Sequence, residues 1–173
     1  ISDCLVGSEM CIRDSARAGA LNPSAAKVHL HRADAAARSD RFDTASDLLD
    51  RALLIRPDLV AIYLNRGNAH FARQALDRAA ADYRRALILK PDHQDSAYNL
   101  ANTLVESDAE LAALRPFNWA VHGAAPHPRA WVNRGNTLLY LKQYAAAVAS
   151  YDRAIAAAPT MAEAHWRKSL ALL

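Results

Sequence analysis

The chain has 173 residues, 52% of them hydrophobic, with 21 Lys+Arg against 18 Asp+Glu and a formal net charge of +3. No run approaches the roughly 18 apolar residues of a membrane span, and the arginines are spread along the chain, whereas nucleic-acid binding needs a concentrated basic face. Both cysteines, Cys4 and Cys11, lie in the first fifteen residues, so the remainder carries no disulfide framework, thiolate metal site or cysteine nucleophile.

Residues 1–15, ISDCLVGSEMCIRDS, have no helical period. The stretch CLVGSEMCIRDS resembles the in-frame translation of a transposase adapter used in preparing sequencing libraries, and such a scar is set aside in fold reasoning. The other reading is a natural N-terminal tail. A signal peptide fits poorly, because Gly7, Ser8 and Glu9 interrupt the apolar run. Without this segment Lys+Arg falls from 21 to 20 and Asp+Glu from 18 to 15, giving a charge of +5.

From residue 16 onward the chain repeats. Pro23, Pro57 and Pro91 are 34 residues apart, Pro159 falls two periods later, and the skipped slot holds Ala125 beside Pro126. The same step carries Ala18, Ala52, Ala86, Ala120 and Ala154, and also Ala45, Ala79, Ala113 and Ala147. Leu49, Tyr83, Phe117 and Tyr151 form a large apolar column, and Ala33, Gly67, Ala101 and Gly135 a small one. Small residues let helices approach closely, and a large side chain on the facing helix fills the remaining space. A period of this length marks a helix–turn–helix repeat.

In chain order, residues 16–25 match the end of a repeat, and copy 26–59 carries His29, Ala33, Phe42, Ala45, Leu49, Ala52 and Pro57. Copy 60–93 has Tyr63, Gly67, Ala79, Tyr83, Ala86 and Pro91. Copy 128–161 is the fullest, with Trp131, Gly135, Tyr144, Ala147, Tyr151, Ala154 and Pro159, and 162–173 matches a first helix. In that fullest copy the pattern predicts helices over about Arg129–Leu141 and Tyr144–Ala157, joined at Lys142-Gln143. Pro57, Pro91 and Pro159 each stop a second helix, and Asp58 and Asp92 are candidate caps for the helices that follow.

Copy 94–127 departs from the others. Pro116 falls inside its expected second helix, where proline costs roughly 3 kcal/mol. Either the helix kinks there, or it starts late with Pro116 in its first turn. Trp119 occupies a column that holds Arg51, Arg85 and Arg153 elsewhere. It either fills a gap beside Pro116 or marks a partner site on the convex face.

These columns resemble the tetratricopeptide repeat (TPR) family, over nearly all of 16–173. The resemblance implies an all-α, right-handed solenoid of helical hairpins, with four repeats (26–59, 60–93, 94–127, 128–161) and partial repeats at both ends (16–25, 162–173). A chain cut within a repeat at each end is expected to be a fragment of a longer protein. In the family, function is read from a concave groove lined by first helices. The residues expected there are Leu64, Asn65 and Asn68, then Tyr98, Asn99 and Asn102, then Val132, Asn133 and Asn136, with Arg167 beyond. Asn65, Asn99 and Asn133 share one column, which becomes His31 before them and Arg167 after them. A carboxamide offers a donor and an acceptor, so it can pair with a peptide backbone whatever the peptide's side chains. The column resembles the asparagine ladder of the O-linked N-acetylglucosamine transferases. Asn68, Asn102 and Asn136 could instead bond between helices.

The carboxylate clamp of co-chaperone TPR domains is incomplete in either frame. One offers Asn68, Asn99 and Arg129 with Leu64 and Asn133 in cationic positions. The other offers Asn102, Asn133 and Arg167 with Tyr98 and Glu163 in theirs. The seven histidines (His29, His31, His70, His93, His122, His127, His165) are scattered, and no catalytic motif or metal-ligand spacing appears. The expectation is a non-enzymatic scaffold that binds a protein or extended peptide, without cofactor, nucleic acid, membrane or small-molecule substrate, and cytoplasmic by default. The alternative is the recognition repeats of a bacterial glycosyltransferase of the O-linked N-acetylglucosamine type, since AEAHWRKSLALL resembles the last repeat before such a catalytic region.

Overall fold

The computed structural model describes residues 23–123 and 127–172. The adapter-like segment 1–15 and the slot at Ala125 and Pro126 lie outside the described residues. Among the described residues there are nine α-helices and no strand: α1 Pro23–Ala37, α2 Phe42–Ile55, α3 Val60–Ala72, α4 Leu76–Leu89, α5 Gln94–Glu106, α6 Glu110–Val121, α7 Pro128–Tyr140, α8 Tyr144–Ala157 and α9 Ala162–Ala171. The all-α repeat expected from the period is present. The second helices α2, α4, α6 and α8 start at positions 42, 76, 110 and 144, and α3, α5, α7 and α9 start at 60, 94, 128 and 162.

Two compact units divide the chain, one ending at Ala75 and one beginning at Leu76. In the first, α1, α2 and α3 pack pairwise. In the second, each helix from α4 to α9 packs on its neighbour in sequence, and α5 also touches α7 and α7 touches α9. The first helices of this unit therefore form a continuous layer, whereas α4, α6 and α8 are kept apart by it.

The recurring columns make the core. Ala45, Leu49 and Ala52 in the first unit are at most 1% exposed, as are Ala79, Tyr83, Ala86, Ala113, Phe117, Ala120, Ala147, Tyr151 and Ala154 in the second. Alanine at two positions of each second helix brings the backbones close, and the large residue between them fills the contact. Gly135 shows how tight this is. A Cβ built there would stand 2.5 Å from Cε1 of the Tyr151 ring.

The turns within the hairpins repeat as faithfully as the core. Asp40, Gln74, Asp108 and Lys142 all have positive φ, between 55° and 59°. At the last of them, Lys142 N–H donates to Leu139 O (2.9 Å) and Gln143 N–H to Leu138 O (2.8 Å). The same pair of bonds closes α1, α3 and α5. These are Schellman caps that satisfy the last carbonyls of the first helix. Four non-glycine residues in the left-handed region leave no glycine signal, so the sequence pattern gave the place of the turn without its geometry.

The helix starts correct one expectation. Asp58 and Asp92 cap nothing. Asp58 instead accepts two bonds from Arg56 (2.8 and 2.9 Å), and α3 begins after Leu59 with no side-chain cap. The residue one place further on takes the role in α5, where His93 Nδ1 accepts from Ser96 N–H (3.3 Å), and in α7, where His127 Nδ1 accepts from Ala130 N–H (3.1 Å). Imidazole reaches the N3 amide from this N-cap position, and Asp58 and Asp92 stand one residue before it. Pro57, Pro91 and Pro159 each stand two residues past a second helix, as expected, but Pro23 differs in being the first residue of α1. That position suits proline, since its missing N–H has no partner in the first turn.

Pro116 does not delay its helix. α6 starts at Glu110, in register with the other second helices, and runs unbroken to Val121. Pro116 is buried, in a column otherwise held by Leu48, Asp82 and Ser150. The late-start alternative is therefore excluded.

Candidate functional site

The expected groove residues fall into three groups. On α3, Leu64 and Asn65 are half-buried and Asn68 is exposed. Asn65 and Asn68 line a small cavity of about 120 Å3 that Asp34, Ala37 and Phe42 also border. Asp34 is the 34-residue equivalent of Asn68, and its carboxylate accepts from Arg38 four residues on. The asparagine column does not point to it, because the residue type changes at this position.

The second group lies in the layer made by α5 and α7. Asn133 Nδ2 donates to Asn102 Oδ1 (2.8 Å) and to the Tyr98 hydroxyl (3.1 Å). Tyr98 packs against the imidazole of His127, with ring centroids 4.6 Å apart and the planes tilted by 36°. The same His127 caps α7, so one residue fixes both the helix start and the Tyr98 ring. All of Tyr98, Asn102 and Asn133 are half-buried. Each carboxamide uses one end in this cluster and keeps the other. Asn133 Oδ1, Asn102 Nδ2 and the Tyr98 hydroxyl hydrogen have no partner among the described residues, leaving one acceptor and two donors side by side. Asn99 is half-buried on the same helix, and its carbonyl accepts from the Thr103 hydroxyl (2.7 Å).

The third group is structural. Val132, expected to line the groove, is 1% exposed and packs in the core with Leu138, Ala147 and Tyr151. One helical step separates it from Asn133, enough to turn it inward. Asn136 Oδ1 accepts from the Tyr151 hydroxyl (2.9 Å), a bond from first helix to second. Burial pushes the Tyr151 hydroxyl pKa up, the Arg167 charge opposing it and the Glu163 charge adding to it. Phe117 replaces tyrosine in the preceding repeat and has no hydroxyl, so Asn102 Oδ1 has no bond of this kind and accepts from Asn133. Arg167 is half-buried, 5.0 Å over the Trp166 ring and 3.8 Å from Glu163.

A second polar pattern runs between repeats. Arg66 donates to Asp50 (2.5 Å), Arg134 to Asn118 (2.8 Å) and Lys168 to Asp152 (2.7 Å), always across 16 residues. Arg134 also donates to the Ser150 hydroxyl (2.5 Å), and burial pushes its pKa down. In copy 94–127 the equivalent positions are Leu100 and Arg84, so that bridge is replaced by an apolar side chain. Trp119 stands beside this break, 48% exposed, with the Arg115 guanidinium 5.5 Å from its ring. It does not fill a gap inside the fold.

Among the described residues no group of three His, Asp or Glu could hold a metal ion, and no helix is long and apolar enough to cross a membrane.

Family models of the tetratricopeptide repeat match residues 30–94 and 128–161. No match is found among curated proteins. Solved structures share the fold at low identity. MamA is 17% identical, with a TM-score of 0.79 over 86% of this chain and 81% of that one. MamA from Desulfovibrio magneticus RS-1 is 18% identical, with a TM-score of 0.77 over 85% and 83%. YrrB, described as a TPR protein with an unusual peptide-binding site, is 19% identical, with a TM-score of 0.74 over 91% and 81%.

Proposed function

The chain belongs to the tetratricopeptide repeat family, and from that premise we propose that it is a protein-interaction scaffold that holds an extended peptide along its first helices. The observation that carries this is the Tyr98–Asn102–Asn133 cluster, whose mutual bonds fix three side chains and leave an acceptor and two donors unused. A peptide backbone presents the complementary alternation of carbonyl and amide. Asn99, on α5, extends the same chemistry within the second unit, where Arg167 would meet an acidic group, and Asn65, on α3, carries the same side chain in the first unit. Val132 has no part in it, and Asn136 contributes only through Tyr151. The YrrB structure, a TPR protein with a peptide-binding site, supports the same class of ligand.

Each hydrogen bond gained contributes about 0.5–1.5 kcal/mol net, so three or four imply a weak complex unless the peptide's side chains add apolar contact. The test is a triple variant, N65A/N99A/N133A, titrated by calorimetry against a set of uncharged, acetylated and amidated peptides without helix propensity. The parent chain binds members of the set, and the variant loses that binding while its helical circular dichroism is kept. Unchanged affinity in a folded variant would refute the reading.

A further inference from the structure

The break in the inter-repeat bridge opens a second site, on a different set of side chains from the asparagine face. Arg84, Leu87, Ile88, Pro91, Leu100 and Trp119 line a cavity of about 480 Å3 in the second unit. That volume is in the range of ligand pockets. Leu87 and Leu100 form its buried floor, at 8% and 4% exposure, while Ile88 and Trp119 stand up around it at 67% and 48%. In three other repeats the equivalent of Leu100 is Arg66, Arg134 or Lys168, reaching a polar partner across this same joint, and the equivalent of Trp119 is an arginine in Arg51, Arg85 and Arg153. Two substitutions in one copy thus exchange a bridged polar joint for an apolar hollow.

The charges at its edge select the occupant. Arg84 is exposed and has lost the cation-accepting role that Asp50, Asn118 and Asp152 play at its position in the other repeats. Arg115, also exposed, lies over the Trp119 ring. Neither guanidinium has a carboxylate partner among the described residues. We propose that this hollow is a docking site for a partner-protein segment in which a large apolar side chain is flanked by carboxylates. The apolar side chain sits against Leu87, Leu100 and Trp119, and the carboxylates pair with Arg84 and Arg115. An aromatic surface beside arginines has the composition of interface hot spots, and the unopposed positive charge favours acidic over basic partners.

The proposal is tested on the full chain with two capped hexapeptides, Glu-Asp-Leu-Phe-Asp-Glu and Lys-Lys-Leu-Phe-Lys-Lys, and with 3-phenylpropionate as a free apolar carboxylate. The readout is the indole N–H NMR signals of the three tryptophans, with the Trp119 signal assigned by its loss in W119R. The acidic peptide is expected to shift the Trp119 signal and to bind about tenfold or more tighter than the basic one, with affinity falling as salt rises. W119R restores the residue type of the other repeats. R84D/L100R restores the acid–arginine pair that bridges their joints. Both are expected to keep the helical circular dichroism and lose the binding, read in the double variant at the Trp119 signal and in W119R by calorimetry. An unmoved Trp119 signal at millimolar acidic peptide, equal binding by R84D/L100R, or basic peptide binding as tightly as acidic would overturn the proposal. Phenylpropionate binding as tightly as the acidic peptide would overturn the assignment to a protein segment.

Discussion

Replacing Gly135 by alanine sets two effects against each other with opposite signs. Glycine inside a helix costs roughly 0.5–1 kcal/mol relative to alanine, so by propensity alone G135A stabilises α7. The structure opposes that. The new Cβ would lie 2.5, 2.8 and 2.9 Å from Cε1, Cδ1 and Cζ of Tyr151, against an optimum near 3.5–4.0 Å. The ring has to move by roughly 1 Å to restore contact distance. Tyr151 is 0% exposed and tied through its hydroxyl to Asn136 at 2.9 Å, so it has no solvent side to move into. Overpacking of this kind costs about 1–3 kcal/mol, and the net expectation is a loss of about 1–2 kcal/mol. The sequence contains its own remedy. Repeats with glycine in this column, Gly67 and Gly135, carry Tyr83 and Tyr151 sixteen residues on, while those with alanine, Ala33 and Ala101, carry Leu49 and Phe117. Y151F alone should cost about 1 kcal/mol, through the lost buried hydrogen bond. G135A/Y151F recreates the Ala101–Phe117 pairing and should be no less stable than either single variant, a coupling of about 1–2 kcal/mol. Urea unfolding followed by circular dichroism at 222 nm measures all four corners of the cycle. A stabilised G135A, or effects that add within about 0.5 kcal/mol, would refute the steric account.

Two further perturbations read other parts of the fold. Lys142 has φ 59°, a conformation that costs a non-glycine residue roughly 1–2 kcal/mol. K142G should therefore raise the urea midpoint by the equivalent of about 0.5–1 kcal/mol, after glycine's larger unfolded-state entropy is subtracted; a lower midpoint would count against strain at Lys142. The tyrosines predict alkaline sensitivity. Burial raises the pKa of Tyr151, and burial and then the Asp82 charge raise that of Tyr83, each above the ordinary 10.0. A folded-state value above the unfolded one gives stability that is complete below about pH 10 and is lost as pH rises toward the folded-state values. Urea midpoints should fall in that window, and Y151F should fall less steeply than the parent chain; parallel slopes would remove Tyr151 as a source.

Most of the fold was legible because a repeat multiplies weak signals. One alanine says little, but Ala45, Ala79, Ala113 and Ala147 on one step identify a buried face, and all four are at most 1% exposed. What escaped was set by geometry at single positions. Asp58 and Asp92 look like caps by residue type, yet His93 and His127 perform the capping at α5 and α7, because they stand at the N-cap position, from which a side-chain acceptor reaches the third amide. Val132 adjoins Asn133 in sequence, and 100° of helical rotation per residue is enough to put one in the core and the other at the surface. The Tyr98–Asn102–Asn133 cluster was only half visible. Its members occupy groove positions of the pattern, but their mutual bonds join residues 31 and 35 apart on two different helices, a relation between columns rather than within one.

Copy 94–127 gathers the chain's exceptions, and they are connected. In the second unit Arg134, a cation on the first helix, reaches polar groups sixteen residues away on either side, Asn118 and Ser150. With Leu100 in the cation's place, the position sixteen residues later needs no hydroxyl or carboxylate, and it holds Pro116. The position sixteen residues earlier needs no acceptor, and it holds Arg84. Pro116 gives up one helical hydrogen bond without stranding a buried charge, and Arg84 turns its guanidinium to solvent beside Trp119. On the first-helix side Phe117 offers no hydroxyl to Asn102, whose oxygen accepts from Asn133. One repeat thus gives up polar contacts on both of its sides. An apolar hollow edged with positive charge results on one side, and a set of unsatisfied hydrogen-bonding atoms on the other.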